Sequence, residues 1–183
     1  MRVISGIYKG RKLKFIKNKD IRPTKDVVRE AIFDTLREWI VDKKVVEIFA
    51  GSGILGIEAI SHGAEKVIFI EKDKKGVEVI KENIKNLGIE NKCEILKGDC
   101  EFEIEKLANI KYNLVIGDPP YEFSISKLQR IIEKIRKLNV LKKDGIMVIE
   151  HNYKKEVPLI EGYEIIKKRK YGKTCLTYLR RIK

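Results

Sequence analysis

Val45-Val46-Glu47-Ile48-Phe49-Ala50-Gly51-Ser52-Gly53-Ile54-Leu55-Gly56 is the stretch on which the fold turns. It opens as a β-rich apolar run, then delivers Gly51, Gly53 and Gly56 in a G-x-G-x-x-G spacing, and runs into an amphipathic segment. Glycines between a strand and a helix permit tight turning and let backbone approach a ligand closely. About twenty residues past the first glycine, a second β-rich run ends on Glu71. A carboxylate at that point can accept hydrogen bonds from both hydroxyls of a ribose. The unit therefore expects a nucleotide-like ligand without saying which.

Outward from this unit the rhythm repeats. β-rich runs at 45–49, 66–71, 93–97, 112–117 and 145–150 alternate with amphipathic segments near 54–61, 74–87 and 126–138. Such alternation predicts an α/β fold: a mostly parallel, doubly wound sheet with helices on both faces. The end of the chain breaks the rhythm. Residues 163–171, then Gly172-Lys173, then 174–182 read as an antiparallel hairpin turned by glycine. Upstream, residues 2–17 alternate weakly and are interrupted at Ser5-Gly6 and Lys9-Gly10, as in a short β-hairpin or arm. Ile21-Arg22-Pro23-Thr24 is a loop, because a residue before proline is pushed away from α conformation. Thr24 is expected to cap a helix whose buried face is Val28, Ala31, Ile32 and Leu36, with Asp26 near its positive end. The expected organisation is a basic N-terminal arm, residues 1–24, on one domain, residues 25–183.

The 183 residues suit one domain, and a hydrophobic content of 43% is enough for an ordinary core. No apolar run approaches the roughly 18 residues of a membrane span, and the first residues lack a secretory h-region. A soluble, cytoplasmic protein is expected, acting as a monomer. Three cysteines without a C-x-x-C pair and two histidines supply no metal site. The formal net charge is +13. Residues 1–25 hold nine Lys/Arg against one acid and residues 154–183 ten against three, so the middle of the chain is close to neutral. Basic ends on a neutral body expect a polyanion such as nucleic acid, against the alternative of a Lys-rich solvated surface.

Two cofactors fit a glycine loop of this kind. A dinucleotide would set its pyrophosphate on the helix N-terminus. S-adenosyl-L-methionine has no phosphate and carries a sulfonium and an ammonium. Glu47 near the end of the first strand, Glu71 after the second and Asp99 in the Gly98-Asp99-Cys100 turn make the cleft rich in carboxylates, which favours the cationic cofactor. Asp99 would accept from the adenine amine. Phe49, Ala50, Gly51, Ser52, Gly53, Gly56, Lys72 and Cys100 complete the expected cofactor-binding set.

The fourth run ends in Asp118-Pro119-Pro120-Tyr121. Ligands of open α/β sheets bind beyond the carboxyl ends of the strands. Consecutive prolines hold the chain extended and donate no backbone hydrogen bond, so their carbonyls point into the cleft as acceptors. An aspartate, a rigid carbonyl and an aromatic face match a planar base bearing an amine. The amine of guanine or adenine is a poor nucleophile because its lone pair is delocalised. Asp118 and the Pro119 carbonyl can accept its two N–H groups, turn the lone pair toward a methyl donor and stabilise the charge that develops on nitrogen. Tyr121 would stack on a base that is single-stranded or flipped out. Methylation of cytosine at C5 is disfavoured, since such enzymes attack with a cysteine thiolate and no cysteine lies beside Pro119-Pro120.

With these residues the chain resembles the Rossmann-like methyltransferases that modify amino nitrogens. It is similar in particular to the bacterial small-subunit ribosomal RNA guanine-N2 methyltransferases, the RsmD family. The matching stretches are Arg2-Val3-Ile4-Ser5-Gly6 with Gly10-Arg11, Arg22-Pro23-Thr24 with Val28-Arg29-Glu30-Ala31, Gly56-Ile57-Glu58-Ala59, and Tyr171-Gly172. Two departures stand out: Gly117 replaces the usual bulkier apolar residue, and Glu47 stands where aspartate is common. The resemblance implies methylation of the N2 of a guanine in 16S ribosomal RNA, within the small subunit or its assembly intermediate. It gives Arg2, Ser5, Gly6, Arg11, Lys12, Arg22 and Thr24 a place in substrate binding, with the Pro23 loop as a lid over the cleft. Lys9 and the basic run 167–170 would contact phosphates too.

The rivals are an adenine-N6 methyltransferase acting on RNA or DNA, a nicotinamide-dependent oxidoreductase, and an RNA-binding protein with a vestigial cleft. Arg29 and Glu30 are candidates for an internal ion pair. Asn83 and Lys85 read as helix surface, and His62 and His151 as packing or surface residues.

Overall fold

The computed structural model describes residues 1–16, 26–120 and 123–183. Arg22, Thr24 and Tyr121 lie outside the described residues, and with them the expected Thr24 cap and Pro23 lid. A seven-stranded sheet has the order β3-β2-β1-β4-β5-β7-β6. Its strands are β1 (Lys44–Ile48), β2 (Lys66–Glu71), β3 (Cys93–Lys97), β4 (Tyr112–Gly117), β5 (Leu141–Asn152), β6 (Tyr163–Tyr171) and β7 (Thr174–Arg181). The first five pair in parallel, while β7 runs antiparallel between β5 and β6. The chain winds outward from β1 to β3, then returns to place β4 on the other side of β1. The crevice beyond the carboxyl ends of β1 and β4 is therefore the switch point where such sheets bind ligands.

The helices are α1 (Asp26–Leu36), α2 (Ile54–Ser61), α3 (Lys74–Leu87), α4 (Cys100–Glu103) and α5 (Ile125–Lys137). One core holds residues of α1, α2, α3 and the N-terminal segment against one face of the sheet; residues of α4 and α5 cover the other. Coverage on both faces is why β1 and β2 are apolar almost throughout instead of alternating. Local signals set the helix ends. The Asp73 side chain accepts from Lys75 N and Gly76 N at the start of α3, and Gly88, at φ +68°, closes it. Ser124 Oγ accepts from Lys127 N at 3.1 Å to open α5.

Several sequence expectations change in detail. The first strand stops at Ile48, because Phe49 turns to φ +57°. The fifth strand begins at Leu141, which pairs with Tyr112 across an irregularity. The short α4 and the 3-10 turn Ile104–Leu107 have no counterpart in the sequence pattern. Arg29 pairs not with exposed Glu30 but with Glu58 at 3.0 Å and Asp26 at 2.6 Å.

The N-terminal segment makes one isolated bridge, Arg2 to Lys12, and is packed onto the body. Val3 and Leu13 sit in the core. Ile7 N donates to Ser61 O at 2.9 Å, and Arg11 donates through its guanidinium to Asn86 O at 2.8 Å. Ser61 and Asn86 end α2 and α3, so residues 5–12 lie toward the amino ends of the strands, away from the crevice. The segment then climbs: Lys14 meets Asn83, and Ile16 N donates to Ser52 Oγ at 3.2 Å in the glycine loop. Asn83 is thus a buried bracket, 1% exposed, where a helix-surface residue was expected. Among the described residues no helix is long and apolar enough to cross a membrane.

Candidate active site

The glycine loop leaves β1 through left-handed backbone at Phe49, Gly51 and Gly53, with φ of +57°, +54° and +72°. Gly53 N donates to Ala50 O at 2.7 Å to close the turn. A Cβ on Gly51 would meet nothing within 4 Å, so the loop faces open space there. A Cβ on Gly56 would lie 2.5 Å from Phe69 Cε1 and 2.7 Å from Glu47 Oε2, which packs α2 directly on the sheet. Ser52 is engaged by the N-terminal segment through its hydroxyl and by Asn83 through its carbonyl.

Two carboxylates bond this loop and the start of its helix, and a third follows β3. Glu71 Oε2 accepts from Gly51 N at 2.6 Å, and Oε1 accepts from Asp73 N at 2.7 Å. The end of β2 thereby fixes the loop and the start of α3 together. Glu47 is 2% exposed and sits beneath the loop, accepting from Gly56 N at 2.7 Å and Leu55 N at 3.3 Å. Burial pushes its carboxyl up to about 8, against the pull of those two backbone donors. Glu47 therefore supports the loop from below and is not on the cleft wall. Asp99 Oδ1 caps α4 through Glu101 N at 3.0 Å, while Oδ2 pairs with Lys127 Nζ at 2.9 Å. Cys100 is buried, which drives its thiol up and marks it as packing. Lys72 is exposed beside Glu71.

Asp118 lies one residue beyond the pairing of Gly117 with Ile48 of β1 and Ile149 of β5. Gly117, a departure from the resembling family, has a steric reason here: a Cβ would stand 2.5 Å from Ile48 Cγ1 and 3.1 Å from Ile48 O. Glycine brings the end of β4 hard against β1 and the loop that follows. Pro119 is buried and Pro120 exposed. The Pro120 carbonyl accepts from Phe123 N at 2.8 Å, so it closes the turn, and the acceptor role expected of the proline carbonyls narrows to Pro119. Phe123 packs edge-on against Phe49, ring centres 4.8 Å apart, joining the acceptor turn to the glycine loop.

A pocket opens on the other side of Asp118-Pro119-Pro120, walled by Phe123, Ile125 and Leu128 and by Glu150, His151, Asn152 and Lys155. The last four were missed in the sequence, although their place was legible: 150–152 end the strand beside Asp118. His151, read as packing, has both ring nitrogens engaged, Nδ1 with Asn152 O at 2.9 Å and Nε2 with Thr177 Oγ1 at 2.8 Å. His62 stacks on Phe33 and bonds Ser5 Oγ at 2.7 Å. The structure thus gathers Phe49 to Gly53, Glu71, Asp99 and Asp118 to Pro120 around the crevice. It does not bring Arg2, Ser5, Gly6, Arg11 or Lys12 there. Gly6 lies against Ser61, and Arg2 donates to Gly10 O at 2.9 Å.

Among the described residues no group of three or more His, Cys, Asp or Glu could hold a metal ion.

Known proteins resemble this chain in sequence and in fold. The family described as Conserved hypothetical protein 95 matches residues 1–180. The chain is 36% identical over 177 residues to "Putative rRNA methyltransferase YlbH" of Bacillus subtilis (strain 168), covering 95% of each. It is 34% identical over 167 residues to "Ribosomal RNA small subunit methyltransferase D" of Buchnera aphidicola subsp. Acyrthosiphon pisum (strain APS), covering 91% of this chain and 86% of that one. The solved structure of "Putative methyltransferase yhhF from Escherichia coli" superposes with a TM-score of 0.83 at 27% identity, covering 100% of this chain and 98% of the other. The fold is that of the Rossmann-like methyltransferases, and the chain belongs to the Conserved hypothetical protein 95 family, the RsmD family.

Proposed function

We propose that this protein transfers a methyl group from S-adenosylmethionine to the exocyclic N2 amine of a guanine in the RNA of the small ribosomal subunit. The observation that carries the reading is the placement of Asp118-Pro119 at the end of β4, immediately beside the glycine loop of β1. The names of the relatives, ribosomal RNA small subunit methyltransferase D among them, support ribosomal RNA as the acceptor.

The residues present fit the cofactor. The loop is open in front of Gly51, which leaves room for a ligand against bare backbone, and the Glu71 carboxylate stands at its edge. S-adenosylmethionine, when bound, supplies an electrophilic methyl group on a sulfonium. Glu71 would take the ribose hydroxyls and Asp99 the adenine amine, with the Phe49–Phe123 pair as an apolar flank. Asp118 and the Pro119 carbonyl accept the two amine protons of the guanine and orient its lone pair. The positive charge that methyl transfer would develop on the nitrogen would lie beside the Asp118 carboxylate, which would favour that state over the neutral amine. The surplus proton leaves along the hydrogen bond to Asp118. Tyr121 lies outside the described residues; the family motif would have it stack on the base.

The reading is tested by incubating the protein with methyl-labelled S-adenosylmethionine and small subunits from cells lacking the enzyme. Label in the ribosomal RNA is expected. Label confined to ribosomal proteins, or binding of NAD(P) in place of S-adenosylmethionine, would refute it.

A further inference from the structure

The acceptor pocket holds a second carboxylate and an ammonium that the transfer itself does not use. Glu150 follows Ile149 near the end of β5, and Asp118 follows Gly117, the last residue of β4; Ile149 and Gly117 are register partners. The two acids therefore follow register partners on adjacent parallel strands, and both line the pocket. Glu150 is 8% exposed. Lys155 closes the pocket at its rim, with Nζ donating to Phe123 O at 3.2 Å. His151 has both ring nitrogens engaged, with Asn152 and Thr177.

We propose that Glu150 accepts the N1–H of the target guanine and that Lys155 donates to its O6, so that the pocket selects guanine among the bases that carry an amine. This inference rests on the guanine-N2 reading above. With N2 held by Asp118, the guanine edge presents, in order, an amine, a ring N–H and a carbonyl oxygen: donor, donor, acceptor. Asp118, Glu150 and Lys155 complement that order. Adenine held by its N6 would present the N1 lone pair to Glu150 and a C–H to Lys155. Cytosine held by its N4 would turn the N3 lone pair toward Glu150. A largely buried carboxylate facing a lone pair loses its hydrogen bond without water to replace it, which is how polar sites reject near-isosteres.

The test uses small-subunit RNA in which the mapped target guanine is replaced by 2,6-diaminopurine. That base keeps the N2 amine but has a lone pair at N1 and an amine in place of O6. The wild-type protein should methylate it with kcat/KM lower by about 100-fold. Glu150→Gln can turn its amide NH2 toward a lone pair and should narrow that preference to about 10-fold or less. Lys155→Ala should narrow it as well. Retained S-adenosylmethionine binding by the variants separates misreading from misfolding, and the wild-type comparison decides alone if a variant fails to fold. Equal use of guanine and diaminopurine by the wild type, or an unchanged ratio in folded Glu150→Gln, overturns this inference and leaves guanine-N2 transfer standing. Methylation of adenine instead of guanine overturns both.

Discussion

Asn83 grips the backbone of Lys14 from both sides: its Oδ1 accepts from Lys14 N at 2.8 Å, and its Nδ2 donates to Lys14 O at 2.9 Å. The same Nδ2 reaches Ser52 O at 3.2 Å, so one buried amide ties the N-terminal segment to the glycine loop. Replacing Asn83 by alanine strands backbone groups on both. We expect Asn83→Ala to lose about 2–4 kcal/mol of stability in urea unfolding. S-adenosylmethionine affinity should fall with it, because the loop loses its anchor. A wild-type midpoint with wild-type cofactor binding would show that the bracket is ornamental.

Gly6 has a steric task. At φ +79° its absent Cβ would stand 2.0 Å from Ser61 O, a backbone atom that cannot swing aside. Gly6→Ala should therefore destabilise the fold by about 1–3 kcal/mol. Exposed Lys12 should tolerate Lys12→Gln within about 0.5 kcal/mol. Thermal melts of the two variants distinguish this from a direct RNA contact at Gly6, which would leave the melting temperature unchanged and weaken binding.

The buried Glu47 gives stability a pH dependence with a definite sign. Its carboxyl ionises near 4.5 in the unfolded chain and, raised by burial, near 8 in the fold. Across that window the folded protein holds a proton that the unfolded chain has released, so this group's contribution to stability declines as pH rises. Glu47→Gln cannot ionise and should flatten the decline between pH 4.5 and 8 while keeping an acceptor for Gly56 N. Parallel pH profiles for the two proteins would contradict the assignment.

Legibility in the sequence followed the reach of each signal. β1, α2 and β2 were readable because strand, glycine loop and Glu71 follow one another along the chain. Phe49 escaped, since its left-handed backbone depends on the path into the loop rather than on a β-rich residue type. Asn83 looked like solvent face among Lys81, Glu82 and Lys85, yet it lies three residues from Ile80 and four from Leu87, on the buried stripe of α3. Glu58 was likewise the one charge in an otherwise uncharged, fully buried helix, a sign of a buried partner that turned out to be Arg29. α4 is too short to show a period. The acceptor pocket needs β5 beside β4 and Lys155 folded back on Phe123, an arrangement that no local pattern encodes.

Of the basic C-terminal region, Lys154 and the β6–β7 turn lie at the crevice end of the sheet, while Arg180 and Arg181 lie toward the opposite end. Thr174, which opens β7, pairs with both Asn152 and Tyr171, so Lys170 and Lys154 stand near the carboxyl end of β5. Lys170 Nζ sits 4.0 Å over the Tyr153 ring. Neutralising Lys154 and Lys170 should lower the slope of log affinity against log salt by about 0.7 for each phosphate that is no longer neutralised. Arg11→Gln with Lys12→Gln, at the far end of the domain, should change it less. A larger effect from the N-terminal pair would place the RNA on the other side of the molecule.

The most direct measurement is the identity of the product nucleoside. Small subunits treated with the wild-type protein and S-adenosylmethionine are digested and their nucleosides resolved by mass spectrometry. One N2-methylguanosine per subunit is expected with the wild type. With Asp118→Ala the yield should fall by about 100-fold or more, while S-adenosylmethionine still binds. N6-methyladenosine as the product, or undiminished transfer by Asp118→Ala, would contradict the role given to the end of β4.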